Sequence, residues 1–313
     1  MAAKRFVAIG ECMIEMSAGD GAMWKAGFAG DTLNTAWYAR ALLPSADWQV
    51  SYVTALGDDA HSNEMAAFIR GAGIRTDHIQ RMAGARPGLY LISQKNGDRV
   101  FTYWRENSAA RRMVDDLPAL TAGCDGADVL YFSGITLAIL TPEKRGVLLD
   151  LLAQQRAGGA KIAFDPNIRP VLWESPEICL DALMMAARHA DYIFPSFDDE
   201  ATLFGDLAPT DTAARYHDAG AAEVIVKDGP RPCLIRVGDA VHAVPGDAVS
   251  HVVDATGAGD AFNGAWLAAR LTGDADIDAA TDAARKAHAI AGIVIRNHGA
   301  LVVLDVIANG RGI

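Results

Sequence analysis

Four short apolar runs occupy the middle of this chain: VLYFSG (129–134), KIAFD (161–165), DYIFPS (191–196) and AEVIVKD (222–228). Stretches of helical periodicity separate them at 142–157, 176–189 and 210–219. Antiparallel neighbours can be joined by a tight turn, whereas parallel neighbours need a long crossover, usually a helix. The repeated strand–helix–strand pattern therefore predicts right-handed crossovers and a largely parallel sheet with helices on its faces. The first part of the chain fits the same plan. Residues 5–10 (RFVAIG) read as a buried strand, 31–42 as a helix capped by Asp31 or Thr32, 49–55 as a strand, and 58–71 as a helix ending on glycine.

Two stretches break this rhythm. Residues 12–28 and 86–105 carry the short runs CMIEM, GLYLIS and RVFTYWR, and no helix separates the last two. KNGD (95–98) lies between them, and Asn96–Gly97 supplies the positive φ angles of a tight hairpin turn. These runs predict a small β-sheet projecting from the main body, serving as a lid, an oligomer contact or an ordinary surface hairpin. No low-complexity linker or internal repeat divides the chain, so it reads as one domain, 1–313, with the lid contributed by roughly 12–28 and 86–105.

Charge narrows the partners. The 28 Lys and Arg residues against 39 Asp and Glu give a formal charge of −11, whereas a nucleic-acid binder needs clustered cations. A small anionic substrate is still allowed, because a few arginines and backbone N–H groups suffice for it. No run approaches the ~18 apolar residues of a membrane helix, and the N-terminus lacks a signal-peptide core and cleavage site. Cys12, Cys124, Cys179 and Cys233 form no CxxC pair and have no His at metal-ligand spacing. They read as reduced cysteines in a cytoplasmic protein.

The run VVDATGAGDAFNGAWLAAR (252–270) says most about chemistry. A strand-like Val-Val pair leads into a small-residue turn at 255–259, then a helix with Ala261, Phe262, Ala265, Trp266 and Ala269 on its apolar face. Small residues at a helix start let backbone N–H groups close on an anion at the positive end of the dipole. The turn thus has the form of an anion hole for developing phosphate charge. Asp260, in the first helical turn, has two local readings. It is a capping carboxylate favoured by the dipole, or a general base that takes a proton from a hydroxyl attacking a phosphoryl group. The chain has no GxxxxGK[ST] loop, no GxGxxG after the first strand and no protein-kinase signature set, so phosphate binding must use a different loop.

DATGAGDAFNGAW resembles the C-terminal signature of the ribokinase-like (PfkB) carbohydrate kinases, and GECMIEMS with FAGDTLNTAWYAR resembles their paired-glycine sugar-binding segment. Within that family, GECMIE, GDTLNTA, YVTALGDD, RPGLYLI, FTYWREN, SGITLAIL, FDPNIRPVLW and DDEATLFG resemble, in order along nearly the whole chain, members that act on 2-keto-3-deoxygluconate. The resemblance implies an α/β fold: a Rossmann-like three-layer α/β/α ribokinase-like domain with a small β-sheet lid. It implies transfer of the γ-phosphate of ATP to the 6-hydroxyl of 2-dehydro-3-deoxy-D-gluconate, with Mg²⁺ accompanying ATP. It extends to a monovalent cation (K⁺) held by backbone carbonyls around Asp254, Ala255 and Gly299. A homodimer or higher homo-oligomer through the exposed lid edge is a further expectation.

Carried over position by position, Asp260 matches the catalytic base and Gly257, Ala258 and Gly259 the anion hole. Gly30, Asp31 and Asn34 match the sugar-binding segment. Tyr90, Tyr103 and Arg105 match lid-proximal substrate contacts, and Arg169 matches a residue reaching towards substrate or γ-phosphate. Asn167, Ser196, Lys227, Gly229 and Asn263, with Gly257 and Gly259, match the nucleotide side of the cleft. The residue chemistry agrees at one point: Arg105 can hold a substrate carboxylate by a bidentate pair, which a neutral sugar does not need. Two departures stand out. PSFDDEA has no asparagine where many members carry an NxxE-type motif, and Glu200 is expected there to organise Mg²⁺ through water. VKDGPRP places Pro230 and Pro232 where a flexible glycine-rich turn is common. The rival readings are a kinase for fructose, ribose or a nucleoside, and a non-catalytic sugar-binding regulator on the same fold.

Overall fold

Side chains of the strand Lys4–Ile9 alternate between two apolar cores: Phe6 and Ala8 enter one, Val7 and Ile9 the other. Val129–Ser133 repeats the split, with Tyr131 in the first core and Leu130 and Phe132 in the second. Strands buried on both faces need two helical layers. Helices Asp31–Leu42, Ala258–Thr272 and Ile277–Val294 pack into the first core, and Pro142–Ala157, Pro176–Ala187 and Pro209–Asp218 into the second. The result is a three-layer α/β/α arrangement. The computed structural model describes residues 3–19, 23–95, 98–274 and 276–309; the expected Asn96–Gly97 turn lies outside them.

The large sheet has eight strands in the order Ala240–Val244, Cys233–Val237, Glu223–Val226, Tyr192–Ile193, Lys161–Asp165, Val129–Ser133, Lys4–Ile9, Trp48–Val53. From Glu223–Val226 to Trp48–Val53 every neighbour is parallel. The two strands at the other edge are antiparallel and were not expected. Their signal was Gly238–Asp239, a two-residue hairpin loop with Gly238 at φ 56°. Two local expectations need correction. Val252 and Val253 are irregular backbone, with the N–H groups of Val253 and Asp254 both donating to the Ile295 carbonyl. The Asp31–Leu42 helix is capped by Gly30, not Asp31 or Thr32, because the Asp31 carboxylate instead accepts from Asn167.

A separate four-stranded sheet runs Trp24–Ala29, Met13–Ala18, Leu89–Lys95, Asp98–Trp104. Its register aligns Gly27, Glu15, Tyr90 and Tyr103 in one row, and Phe28, Ile14, Leu89 and Trp104 in the next, which faces the opposite side. Among the described residues, no helix is long and apolar enough to cross a membrane.

Candidate active site

Parallel strands end at a common edge, and ligands of open α/β sheets bind beyond that edge. Here Lys161–Asp165 ends on Asp165, and a cavity of about 720 Å³ opens beside it. Its wall includes Gly30, Asp31, Asn34, Tyr90, Tyr103, Arg105, Asn167, Arg169, Ser196, Lys227, Gly257, Gly259 and Asp260, bringing together thirteen residues singled out from the sequence.

Asp260 occupies the first turn of the Ala258–Thr272 helix, directly after Gly257. Gly257 has φ 77°, and a Cβ there would lie 2.7 Å from the Ala300 carbonyl oxygen, so glycine is required twice over. Gly259 differs: it is helical, and a Cβ would meet only Lys227 Nζ at 3.6 Å. Asn34 Nδ2 donates to Asp260 Oδ2 at 2.8 Å and fixes the carboxylate. Burial, with the negative charge of Asp31, pushes the Asp260 carboxyl up to about 7; the Asn34 hydrogen bond and the Lys227 charge oppose this only in part.

Asp165, absent from the sequence-derived set, is the hub of the Lys227 side of the cavity. It is buried and accepts from Lys227 Nζ at 2.8 Å, Asn263 Nδ2 at 2.6 Å and the Asn167 N–H at 2.9 Å. Asn167, held at φ 34°, also donates through Nδ2 to Asp31 at 2.8 Å. The signal for Asp165 was its place at the carboxyl end of a central strand. Asn263 therefore lies behind the cavity wall, acting through Asp165 and the Tyr131 hydroxyl.

On the small-sheet side, Tyr90 and Tyr103 pair with ring centroids 5.8 Å apart, and the Tyr90 hydroxyl donates to Glu15. Arg105 is ion-paired to buried Glu11, a partner that sequence reading missed because 94 residues separate the two. Arg169 is exposed and reaches Asp199 at 3.6 Å. Ala258, Gly229 and Glu200 do not border the cavity. Glu200 in particular points the other way: it is fully buried, accepts from Arg215 Nη2 at 3.0 Å and from the Tyr216 hydroxyl at 3.1 Å, and burial pushes its carboxyl up to about 7. Asp199 borders the cavity instead.

A parallel sheet with a helix-start turn, a carboxylate and a lysine at its carboxyl edge, faced by a small β-sheet, defines a small-molecule kinase of the ribokinase-like class. The chain belongs to the pfkB family of carbohydrate kinases, whose sequence profile matches residues 3–306. It is 42% identical over 312 residues to the 2-dehydro-3-deoxygluconokinase of Dickeya dadantii (strain 3937), covering 97% of this chain and 99% of that protein. It is 41% identical over 305 residues to the Escherichia coli (strain K12) protein of the same name, covering 96% and 97%. The crystal structure of a PfkB protein from Polaromonas sp. JS666 matches with a TM-score of 0.81 at 26% identity, covering 94% of this chain and 96% of that one.

Proposed function

We propose that this kinase transfers the γ-phosphate of ATP to the 6-hydroxyl of 2-dehydro-3-deoxy-D-gluconate, giving 2-dehydro-3-deoxy-6-phospho-D-gluconate. The observation that carries this reading is the Asp260 carboxylate, held by Asn34 in the cavity wall one turn from the Gly257 anion hole. The two near-full-length relatives named for that activity support the choice of substrate. The sugar acid lies against Gly30, Asp31, Asn34, Tyr90, Tyr103, Arg105 and Arg169, and the phosphates lie towards Gly257, Gly259, Lys227 and Ser196. As the 6-oxygen bonds to the γ-phosphorus, its proton passes to Asp260 and the bond to the ADP oxygen breaks. Turn N–H groups and Lys227 meet the charge on the transferring group.

Mg²⁺ takes hard oxygen ligands and keeps several waters, so one or two carboxylates beside the phosphates suffice. The cavity offers Asp199 on the Lys227 side, whereas Asp165 already accepts from Lys227, Asn263 and Asn167, and Glu200 is spent on Arg215 and Tyr216. The ion supplies positive charge to the phosphate oxygens when bound. The same reading takes 1–313 as one cytoplasmic kinase domain, the four-stranded sheet as its lid, and the lid as the contact of a homo-oligomer. A K⁺ site around Asp254, Ala255 and Gly299 is supported by the Asp254 carboxylate, which accepts from the Thr256 N–H at 2.9 Å and the Gly299 N–H at 2.7 Å and so gathers the two loops.

One observation favours a second reading, a neutral sugar such as fructose: Glu11 already compensates the charge of Arg105. The deciding experiment incubates purified protein with ATP and a panel of gluconate- and galactonate-derived 2-keto-3-deoxy acids, fructose and ribose. Kinetics of ADP formation rank the substrates and NMR assigns the phosphorylated carbon. Faster turnover of fructose than of every acid overturns the proposal.

A further inference from the structure

The chain passes between the large sheet and the four-stranded sheet at several crossings. Lys4–Ile9 ends just before Glu11 and Met13–Ala18 begins just after it; Asp98–Trp104 ends immediately before Arg105. Arg105 Nη2 pairs with Glu11 Oε2, joining the first crossing to the last, and the two side chains are only 6% and 1% exposed. A third crossing makes room for them: a Cβ at Gly88 would stand 2.9 Å from Glu11 Oε1 and 3.2 Å from Arg105 Cβ. Arg105 Nε and Glu11 Oε1 are buried and have no other partner among the described residues, so neither charge has an alternative place to go. A buried charge separated from its partner is strongly penalised. The guanidinium therefore loses the swing that a long arginine side chain otherwise has. Arg105 borders the substrate cavity, and Glu11 does not.

We infer that Glu11 is the positioning residue for Arg105. From behind the cavity wall it fixes the guanidinium towards the sugar, and it makes sugar binding depend on how the first and last crossings sit together. The inference rests on the proposed placement of the sugar against Arg105. It is tested with the full-length protein as wild type, Glu11→Gln, Arg105→Gln and the double variant, measuring KM for the sugar acid, KM for ATP, kcat and Tm. Glu11→Gln keeps the side-chain shape but leaves the buried Arg105 charge uncompensated, so Tm is expected to fall, and the kinetics are compared at a temperature where each variant is folded. The expected result is a rise of about fivefold or more in sugar-acid KM, with ATP KM and kcat within about twofold. Arg105→Gln raises sugar KM at least as far, and adding Glu11→Gln to it changes little further, the non-additivity of two residues acting through one contact. An unchanged sugar KM in Glu11→Gln, an effect that multiplies with that of Arg105→Gln, or an equal rise in both KM values overturns the inference. If the wild type rejects the acid and accepts a neutral sugar, the substrate reading fails, and the same cycle on that sugar judges Glu11 by the same criteria.

Discussion

Asp260 is held in a state that costs stability and serves proton transfer. Its carboxyl is raised from 3.8 to about 7, so between those values the folded protein binds a proton that the unfolded chain does not. This group therefore favours the fold most below about pH 4, and its contribution is lost progressively as pH rises to about 7. Activity runs the other way, since only the ionised form accepts a proton. The kcat/KM for the sugar is expected to rise with pH, reach half its plateau near 7 and level off about a unit above. Asp260→Asn should lower kcat by about a hundredfold or more, yet raise Tm at pH 8 above wild type, as read by calorimetry. Loss of stability together with activity would make Asp260 a structural cap. The glycines before it separate on similar grounds. Gly257→Val meets both a positive φ and the Ala300 carbonyl and should fail to fold stably; Gly259→Val meets neither and should fold, but project towards Lys227 and lose activity. The motif around Asp260 made these residues legible in the sequence. The surroundings of Glu200 were not legible, because an acidic helix start looks alike whether it faces a cleft or a buried arginine.

At the scale of elements, the site depends on how closely two helices approach. Gly264, on the Ala258–Thr272 helix, faces the Asp31–Leu42 helix so tightly that a Cβ would lie 2.6 Å from the Thr35 carbonyl oxygen and 2.9 Å from Tyr38 Cβ. That approach brings Asn34 to Asp260, and Thr35 Oγ1 to the Asp260 carbonyl at 3.3 Å. Gly264→Val is expected to push the helices apart, costing about 1–3 kcal/mol by overpacking and weakening the Asn34–Asp260 bond. Denaturant titration gives the first effect, and the second appears as a shift in the acid limb of the pH–rate profile. Most elements were readable because their periodicity is local: the central strands and the helices between them lie within a few residues of where the pattern placed them. The antiparallel edge pair was not, because Cys233–Val237 and Ala240–Val244 are half-buried and lack the continuous apolar runs of the central strands.

For the whole molecule, the unusual feature is a small sheet with apolar residues on both faces. One face turns Tyr90, Tyr103 and Phe101 towards the cavity. The row Phe28, Ile14, Leu89 and Trp104 crosses all four strands on the other face; Phe28 and Ile14 pack against the main core, Phe28 with its ring centroid 5.5 Å from that of Phe68, whereas Trp104 is 52% exposed, with Trp24 and Val100 also uncovered. The uncovered residues Trp24, Val100 and Trp104 on this face are what a second copy of the chain would cover. Which face turns inward could not be read from the sequence, since alternation gives two faces but only the tertiary position of Glu11, Gly30 and Arg105 chooses between them. We expect the chain to form a homodimer through this outer face. Trp104→Glu places a charge in that contact, where burial would leave it unpaired. Light scattering coupled to size-exclusion chromatography should find a dimer for wild type and a monomer for the variant at micromolar concentration. Because Trp104 points away from the cavity, kcat of the monomer should change less than the sugar KM, which reports how well the lid is held in place. A variant that remains dimeric would move the interface elsewhere. A wild type that is monomeric would leave the outer face without a second copy to cover it.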